Sequence, residues 1–474
     1  MTELEEKIKE FYPKMVVLKG KCENTFSNLS IPGYIKDWFL MRYADNNGNI
    51  DETFLIDKIK TILPIKDNWN IFLERIVAGK EEVKILAKIK IKLSISDDEI
   101  YFSLPDMDLD YDETIIEKHV WDKIKSSNVS LIEDTWGILT LKLIPYKKKN
   151  KISLANFQAF QPYKVDLDYY SENRKQFNID EWLDILLGAI NYKGASYKTI
   201  ENKLEMIKRL IPFVEKRVNL IELAPKGTGK SFVFSQISKY GWLNSGGVVT
   251  RAKLFYDMHS KQLGLIGNYD FVALDEISTI KFSDVSEMQG SLKGYLESGT
   301  FAVGTKKNQS DAGMIFLGNI RSNKMSEDAN MFSELPVLFN DSALLDRIHG
   351  FVKGWDIPRM DESMKMSGWA LNTEYFSTIM HLLRDESIYD SLVDSLLIVE
   401  SGDTRDVTAV KRITSGLIKL LFPNWKSIDD VNKDEFEEYC LNPAINMRKI
   451  IKKQLCILDE EYKKIQMPSF SINM

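Results

Sequence analysis

The spacing of apolar positions changes several times along this chain, and each change marks a different kind of element. Up to about residue 82 they recur at helical intervals. Ile35, Trp38, Phe39 and Leu40 form one face, and Phe54, Ile56, Ile59 and Ile62 form another. From Lys88 to Ser96 the interval drops to two, in Lys-Ile-Lys-Ile-Lys-Leu-Ser-Ile-Ser, which predicts a half-buried strand with lysines on its outer side. Gly137 to Ile144 predicts a second strand, and Lys147, Lys148, Lys149 and Lys151 follow it. The acidic loop Asp106 to Asp112 lies between the two strands, and Asp168 to Gln176 is polar enough to predict a linker. Beyond it the pattern changes again, to short, largely apolar runs: Val218–Leu223, interrupted by Asn219 and Glu222, then Phe271–Leu274 and Gly313–Gly318. Such runs suit strands covered on both faces, as in a parallel sheet flanked by helices. Helical spacing returns through Ala409, Val410, Leu417 and Leu420 to Pro423, and again from Asn446 to Lys464 around Ile450, Ile451, Leu455 and Leu458.

These patterns predict an α/β core, a parallel sheet flanked by helices. An α+β N-terminal region precedes it and a helical lid follows it. The expected divisions are residues 1–165, 166–356 and 357–474.

The chemistry gathers at the ends of the apolar runs. Directly after the first comes Ala224-Pro225-Lys226-Gly227-Thr228-Gly229-Lys230-Ser231. Strand, glycine-containing turn and helix start together form a phosphate cradle. Glycines let backbone amides turn inward, and the helix N-terminus adds unpaired N–H groups and a positive dipole end. Lys230 can reach the β/γ-phosphates of ATP, and the Ser231 hydroxyl can ligand Mg²⁺. Ala224 stands where such loops usually begin with glycine, which is tolerable at negative φ.

Forty-five residues past Lys230, the second run ends in Asp275-Glu276. Asp275 is expected to hold Mg²⁺ and Glu276 to polarise the attacking water. An acidic pair opening a helix after a core strand would look the same. The third run ends at Asn319, placed to orient that water or touch the γ-phosphate, or simply to cap the strand. Arg347, in Leu345-Asp346-Arg347-Ile348, is expected on the far side of the sheet, where it could serve a neighbour's nucleotide in trans. An ordinary ion pair is its alternative. Arg405 opens the late helical region and is expected over the γ-phosphate, with Arg412 as competitor and a helix-start ion pair as the plain reading.

Composition narrows the classes. With 474 residues, 44% hydrophobic and 28% charged, the chain can bury large cores. No apolar stretch approaches the roughly 18 residues that span a bilayer. The three cysteines lie far apart and the N-terminus is acidic, which predicts a reducing cytoplasm and no membrane association. Net charge is −6, so any contact with nucleic acid must come from local patches.

Phosphate loop, acidic strand end, polar strand tip, late arginine and helical lid, in that order, form the pattern of AAA+ ATPases. Longer blocks are more specific. Ser245-Gly246-Gly247-Val248-Val249-Thr250, Phe316-Leu317-Gly318-Asn319-Ile320, Asp346-Arg347-Ile348-His349, Gly354-Trp355-Asp356-Ile357-Pro358 and Arg405-Asp406-Val407-Thr408-Ala409-Val410 resemble the BrxL family, Lon-like AAA+ proteins of BREX phage-defence systems. Phe177 to Trp182 and the surroundings of Pro32-Gly33-Tyr34 extend the resemblance over nearly the whole chain.

The resemblance implies an ATP-dependent protein with a core similar to MCM-type replicative helicases. It implies hexameric rings that can pair face to face, contact with duplex DNA without sequence preference, and encounters with other BREX components. Longer members continue into a Lon-protease-like domain, whereas this chain ends fourteen residues after Glu460, so peptidase activity is not expected of it.

Thr300 to Val303, with Gly304 and the polar run after it, predicts a β-hairpin carrying Lys306 and Lys307 at its tip. Such a hairpin can meet phosphates in a ring's pore. Lys88, Lys90, Lys92, Lys147, Lys148 and Lys149 are further candidates for DNA contact, on strands that resemble a small barrel. Lysines on edge strands also serve simply to prevent aggregation. The acidic loop is expected to face away from them. An AAA+ ring that remodels protein is the competing reading, with Leu254-Phe255-Tyr256 as a conceivable pore loop or, alternatively, helix core.

Overall fold

The computed structural model describes residues 1–27, 29, 31–45, 47–78, 82–94, 99–126, 135–147, 149–160, 163–258, 262–303 and 306–473, without the side chains of 93, 125, 126, 303 and 306. The chain divides into two compact units. One comprises residues 21–31 and 38–164, the other residues 1–20, 32–37 and 165–474.

The smaller unit is built on a closed five-stranded barrel. Its strands are Val83–Ser94, Glu99–Ser103, Thr114–Ile116, Thr135–Tyr146 and Lys149–Ala159. Around the barrel they run first, second, third, fifth and fourth, then back to the first. Only the third and fifth are parallel. This is a Greek-key barrel of the OB type. The two-residue period seen in the sequence closes it, because Ile85, Ile89, Ile91, Phe102, Leu139, Leu141 and Leu154 all point into one core. Phe72 and Ile76 of the helix Trp69–Val77 belong to the same core.

The acidic loop does not face away from the lysines. Asp106 pairs with Lys88 at 3.4 Å, Asp108 with Lys66 at 2.7 Å, and the Lys92 ammonium stands 5.4 Å from the centre of the Tyr111 ring. The connection between the second and third strands is only ten residues long. It stays beside the barrel, where opposite charges hold it.

The larger unit carries a five-stranded parallel sheet: β1 Leu220–Ala224, β2 Gly241–Ser245, β3 Phe271–Asp275, β4 Gly313–Asn319 and β5 Gly350–Lys353. Across the sheet the order is β5-β1-β4-β3-β2. Central strands apolar on both faces require cover on both. Ile221, Leu223, Val272, Leu274, Met314, Phe316 and Phe351 are all fully buried. Helices of this unit include α1 Lys230–Gln236, α2 Val285–Ser298, α3 Thr404–Leu421 and α4 Asn442–Leu458. The predicted hairpin is present as Thr300–Val303 paired with Lys306–Gln309.

Three segments differ from expectation. Val16–Lys19 pairs antiparallel with Gly368–Leu371, so the first twenty residues belong to the sheet unit. Residues 167–174 form a helix rather than a linker. Its Arg174 is buried and satisfied by the carbonyls of Leu421 and Phe177, while Tyr170 packs on Trp182. The last long helix, α4, ends at Leu458. Its Ile450, Ile451 and Leu455 lie in the same core as the sheet. Among the described residues no helix is long and apolar enough to cross a membrane.

Candidate functional site

β1 hands the chain to α1 through a tight loop at the carboxyl end of the sheet, where open α/β folds bind their ligands. Gly227 and Gly229 adopt φ of +83° and +75°, a region that side chains avoid. A Cβ at Gly229 would also collide with the Tyr192 hydroxyl. Lys230 is buried at the start of α1. Its ammonium donates to the carbonyl of Pro225 and to Oδ1 of Asn319, each at 3.2 Å. Burial lowers its pKa, against the opposing pull of the Glu222 and Asp275 carboxylates. An anion placed in this loop would therefore meet a poorly hydrated cation with few competing partners.

The tips of β3 and β4 converge on the same place. Asp275 is buried and accepts a hydrogen bond of 2.5 Å from the Ser231 hydroxyl. Two hard oxygen donors so placed fit a Mg²⁺ that keeps waters and phosphate oxygens as its other ligands. Glu276, next in the chain, is exposed and left-handed at φ +50° and ψ +45°. Its N–H is held by Asp275 Oδ1 at 2.8 Å and its carbonyl by the N–H of Thr279 at 2.8 Å. Asn319 pairs in register with Ala224, so the amide stands directly beside the loop. Sequence reasoning placed Pro225 to Ser231, Asp275, Glu276 and Asn319 together, and the fold brings them together.

The group that braces the loop from beneath has no local signal in the sequence. Arg209 and Glu222 form a bidentate ion pair at 2.9 and 2.5 Å, with both side chains sealed from solvent. A third guanidinium N–H donates to the Thr228 carbonyl at 2.7 Å. Arg359 has none either: its Nε lies 3.2 Å from where a Cβ on Gly227 would sit, and the Met360 N–H donates to the Gly227 carbonyl. Glu222→Gln should destabilise the protein by about 3–5 kcal/mol, since it leaves a buried guanidinium without its counter-charge. Replacing the pair together, Arg209→Met with Glu222→Leu, should recover most of that stability, as read from urea midpoints. Nucleotide affinity should stay low, because the Thr228 carbonyl no longer has its donor.

The late arginines lie elsewhere. Gly350 pairs with Leu220, the first residue of β1, so Arg347 sits at the amino end of the sheet. β1 alone separates the two ends by about 13 Å at roughly 3.3 Å per residue. Arg347 Nε is 2.7 Å from Glu297 Oε2, and the same guanidinium donates to the Ala343 carbonyl. Arg405 is beside it rather than over the phosphate loop. Its guanidinium binds Glu297 at 3.1 Å and Asp346 at 2.9 Å. Asp403 caps α3 by accepting from the Arg405 N–H, and the buried Asp406–Arg448 pair, long-range in sequence, fixes that end of the helix at this pole.

Arg347, Arg405, Arg412 and Arg448 line one cavity of about 110 Å³, against the carboxylates of Glu297 and Asp346. Arg412 donates to the Arg217 carbonyl at 3.1 Å. His349 also borders the cavity. Burial, reinforced by Arg412, Arg448 and Arg217, pushes its pKa well below the usual value, so the ring stays neutral and accepts from the Asn219 N–H.

The lysine candidates divide. Lys307 is exposed on the second hairpin strand, whereas the side chain of Lys306 and residues 304–305 lie outside the described residues, as does Lys148. Lys147 and Lys149 are exposed where the fourth and fifth barrel strands meet. Lys90 and Lys92 lie on the first barrel strand, opposite Ser103 and Tyr101. Lys88 is engaged by Asp106.

Comparison with known proteins accords with both units. The family described as "Lon-like protease BrxL-like, ATPase domain" matches residues 152–468, and "BREX system Lon protease-like protein BrxL N-terminal" matches residues 10–143. The Lon-like protease BrxL of Escherichia coli O9:H4 (strain HS) is 29% identical over 461 residues, covering 96% of this chain and 65% of the relative. That of Bacillus cereus (strain H3081.97) is 29% identical over 465 residues, covering 96% of this chain and 67% of the relative. The chain thus spans about two thirds of the length of these curated relatives. With the ATPase-domain family covering residues 152–468 and the N-terminal family most of the remainder, this chain belongs to the BrxL family.

Proposed function

We propose that this protein is an AAA+ ATPase whose protomers form a ring on duplex DNA in BREX defence, with each ATP hydrolysed between two neighbours. The observation that carries the proposal is the division of one set of groups between opposite ends of a single sheet. The phosphate loop, Asp275, Glu276 and Asn319 gather at the carboxyl end, while Arg347 and Arg405 gather at the amino end. A ring that stacks one end against the other completes the site, and with it both arginines act in trans.

In that site the loop amides and Lys230 would hold the β- and γ-phosphates of ATP. Ser231 and Asp275 would hold Mg²⁺, which neutralises phosphate charge when bound. Glu276 takes the proton of the attacking water as its oxygen bonds to the γ-phosphorus. The bond from that phosphorus to the bridging oxygen breaks and ADP leaves. Asn319 orients the water, and the neighbour's Arg347 and Arg405 meet the charge on the loose transition state. A hexamer, singly or as a paired ring, is the assembly the family resemblance favours.

DNA is assigned to the hairpin, through Lys306 and Lys307, and to the barrel lysines. Contacts of this kind reach phosphates and carry no sequence preference. Replacing Lys147, Lys149 and Lys307 together by Ala should weaken duplex binding equally across sequences. The slope of log K against log salt should fall by roughly one for each lysine that meets a phosphate. A slope that does not change would remove these lysines from the interface.

The deciding experiment is ATP hydrolysis by the purified protein with and without duplex DNA, and with unfolded protein as the alternative stimulant. DNA stimulation supports the proposal. Stimulation by unfolded protein alone would favour a remodelling ring. That reading is left without its candidate pore loop, because Leu254 and Phe255 are buried in the core.

A further inference from the structure

The carboxylate of Glu297 occupies both arginines assigned above to a neighbour's nucleotide, at 2.7 Å from Arg347 and 3.1 Å from Arg405. A planar guanidinium binds carboxylate and phosphate through the same fork of N–H groups, so one can replace the other. Glu297 and Arg405 are open to an incoming ligand, with 44% and 36% of their side chains exposed, while Arg347 borders the same cavity with 17% exposed. The Glu297–Arg405 pair, exposed on both sides, adds little stability to the fold.

Its position in the chain gives the contact a second property. Glu297 is the penultimate residue of α2, and the helix ends at Gly299, whose φ is +73° and whose N–H bonds the Tyr295 carbonyl. The hairpin begins at the next residue, Thr300. Its far strand returns to the same point, where the Ser310 N–H donates to the Gly299 carbonyl and the Tyr295 hydroxyl to the Ala312 carbonyl. Arg217 holds the Glu297 carbonyl at 3.1 Å. The last turn of α2 and the base of the hairpin therefore form one braced piece, tied to Arg347 and Arg405 through the Glu297 side chain.

We propose that Glu297 is a positioning residue that stands in for the γ-phosphate of a neighbour's ATP and couples occupancy of that site to the hairpin. Without a triphosphate the carboxylate holds both arginines and the hairpin base. When the γ-phosphate takes the arginines, the Glu297 side chain is released. The end of α2, left with only the Arg217 contact to its carbonyl from this group, can then shift and carry the hairpin with it. Hydrolysis restores the contact. The inference rests on the in-trans reading of Arg347.

The test is Glu297→Gln in the full chain, which keeps shape and removes charge. With its competitor gone, the ATP concentration giving half-maximal hydrolysis should fall roughly threefold or more, as expected when a larger fraction of protomers is ready to bind. The DNA-free rate should rise, and the ratio of rates with and without duplex DNA should approach one. Affinity for ADP, which lacks the competing phosphate, should match that of the parent. A purely structural role would move ADP and ATP alike, and that result overturns the proposal, as does a variant that moves neither. If Glu297→Gln fails to fold, Glu297→Asp is read the same way, with a smaller shift in the same direction. Should Arg347→Ala keep parental turnover, the in-trans reading itself falls. Arg347-dependent turnover with an unresponsive Glu297→Gln removes only the coupling.

Discussion

Glu276→Gln should bind ATP as tightly as the parent protein and hydrolyse it roughly 10²–10⁴-fold more slowly, the range a positioned general base contributes. The geometry separates the two effects. Asp275 is the buried acid of the pair, bonded to Ser231 and placed with it for the metal. Glu276 is the exposed one, left-handed in its backbone and anchored only through its own main-chain N–H and carbonyl. Such a conformation costs a residue other than glycine on the order of 1–3 kcal/mol, and it persists here because Asp275 and Thr279 hold both sides of the peptide. Gln adopts the same backbone and fills the same space, so the melting temperature should not move. It cannot take a proton from water. Nucleotide titration and phosphate release measured on the same preparation give both numbers. Surviving turnover would assign the base elsewhere. Asp275→Asn should differ in kind, losing Mg²⁺-dependent binding together with turnover.

What could be seen in the sequence depends on how local each signal is. β3 and β4 are apolar up to their last residues and β1 is broken only by Glu222, and each leads into the residues that carry its chemistry, so Lys230, Asp275 and Asn319 can be located before their strands are paired. The hairpin was equally plain, from Thr300 to Val303 and the glycine after them. Val16–Lys19 offers only four residues, and its partner strand begins some 350 positions later at Gly368, too far for any pattern to join them. Glu222 stood in view as a charge inside an apolar run, but its meaning depends on Arg209, which reaches it from the end of the preceding helix Ile200–Lys208. Arg405 shows the same limit. Its residue type fits a phosphate contact, yet the pole of the sheet it occupies is set by the Asp406–Arg448 pair, forty-two residues apart in sequence.

Arg347→Ala should lower turnover by about 10³-fold or more, the loss associated with removing an arginine from phosphoryl transfer. Its own phosphate loop is at the other end of the sheet, so an effect of this size cannot come from the nucleotide its own protomer binds. Stability should change little. The guanidinium lies beside a half-exposed carboxylate that Arg405 also binds and donates to one carbonyl, so Glu297 keeps a partner when Arg347 is removed. The in-trans assignment has a distinctive consequence when variants are mixed. A Lys230→Ala protomer cannot use its own nucleotide site but presents an intact Arg347. An Arg347→Ala protomer has the reverse defect. Each preparation alone should be nearly inactive, whereas mixed rings contain interfaces that pair an intact phosphate loop with an intact arginine. Hydrolysis by the mixture should therefore exceed the sum of its two components and vary with their ratio. Arg405→Ala, mixed in the same way, should also be rescued, because it shares the Glu297 contact and the cavity with Arg347. If mixing restores neither variant while both still assemble, Arg347 and Arg405 serve only to fasten α2 and α3 to the amino end of the sheet, and the nucleotide site is complete within one chain.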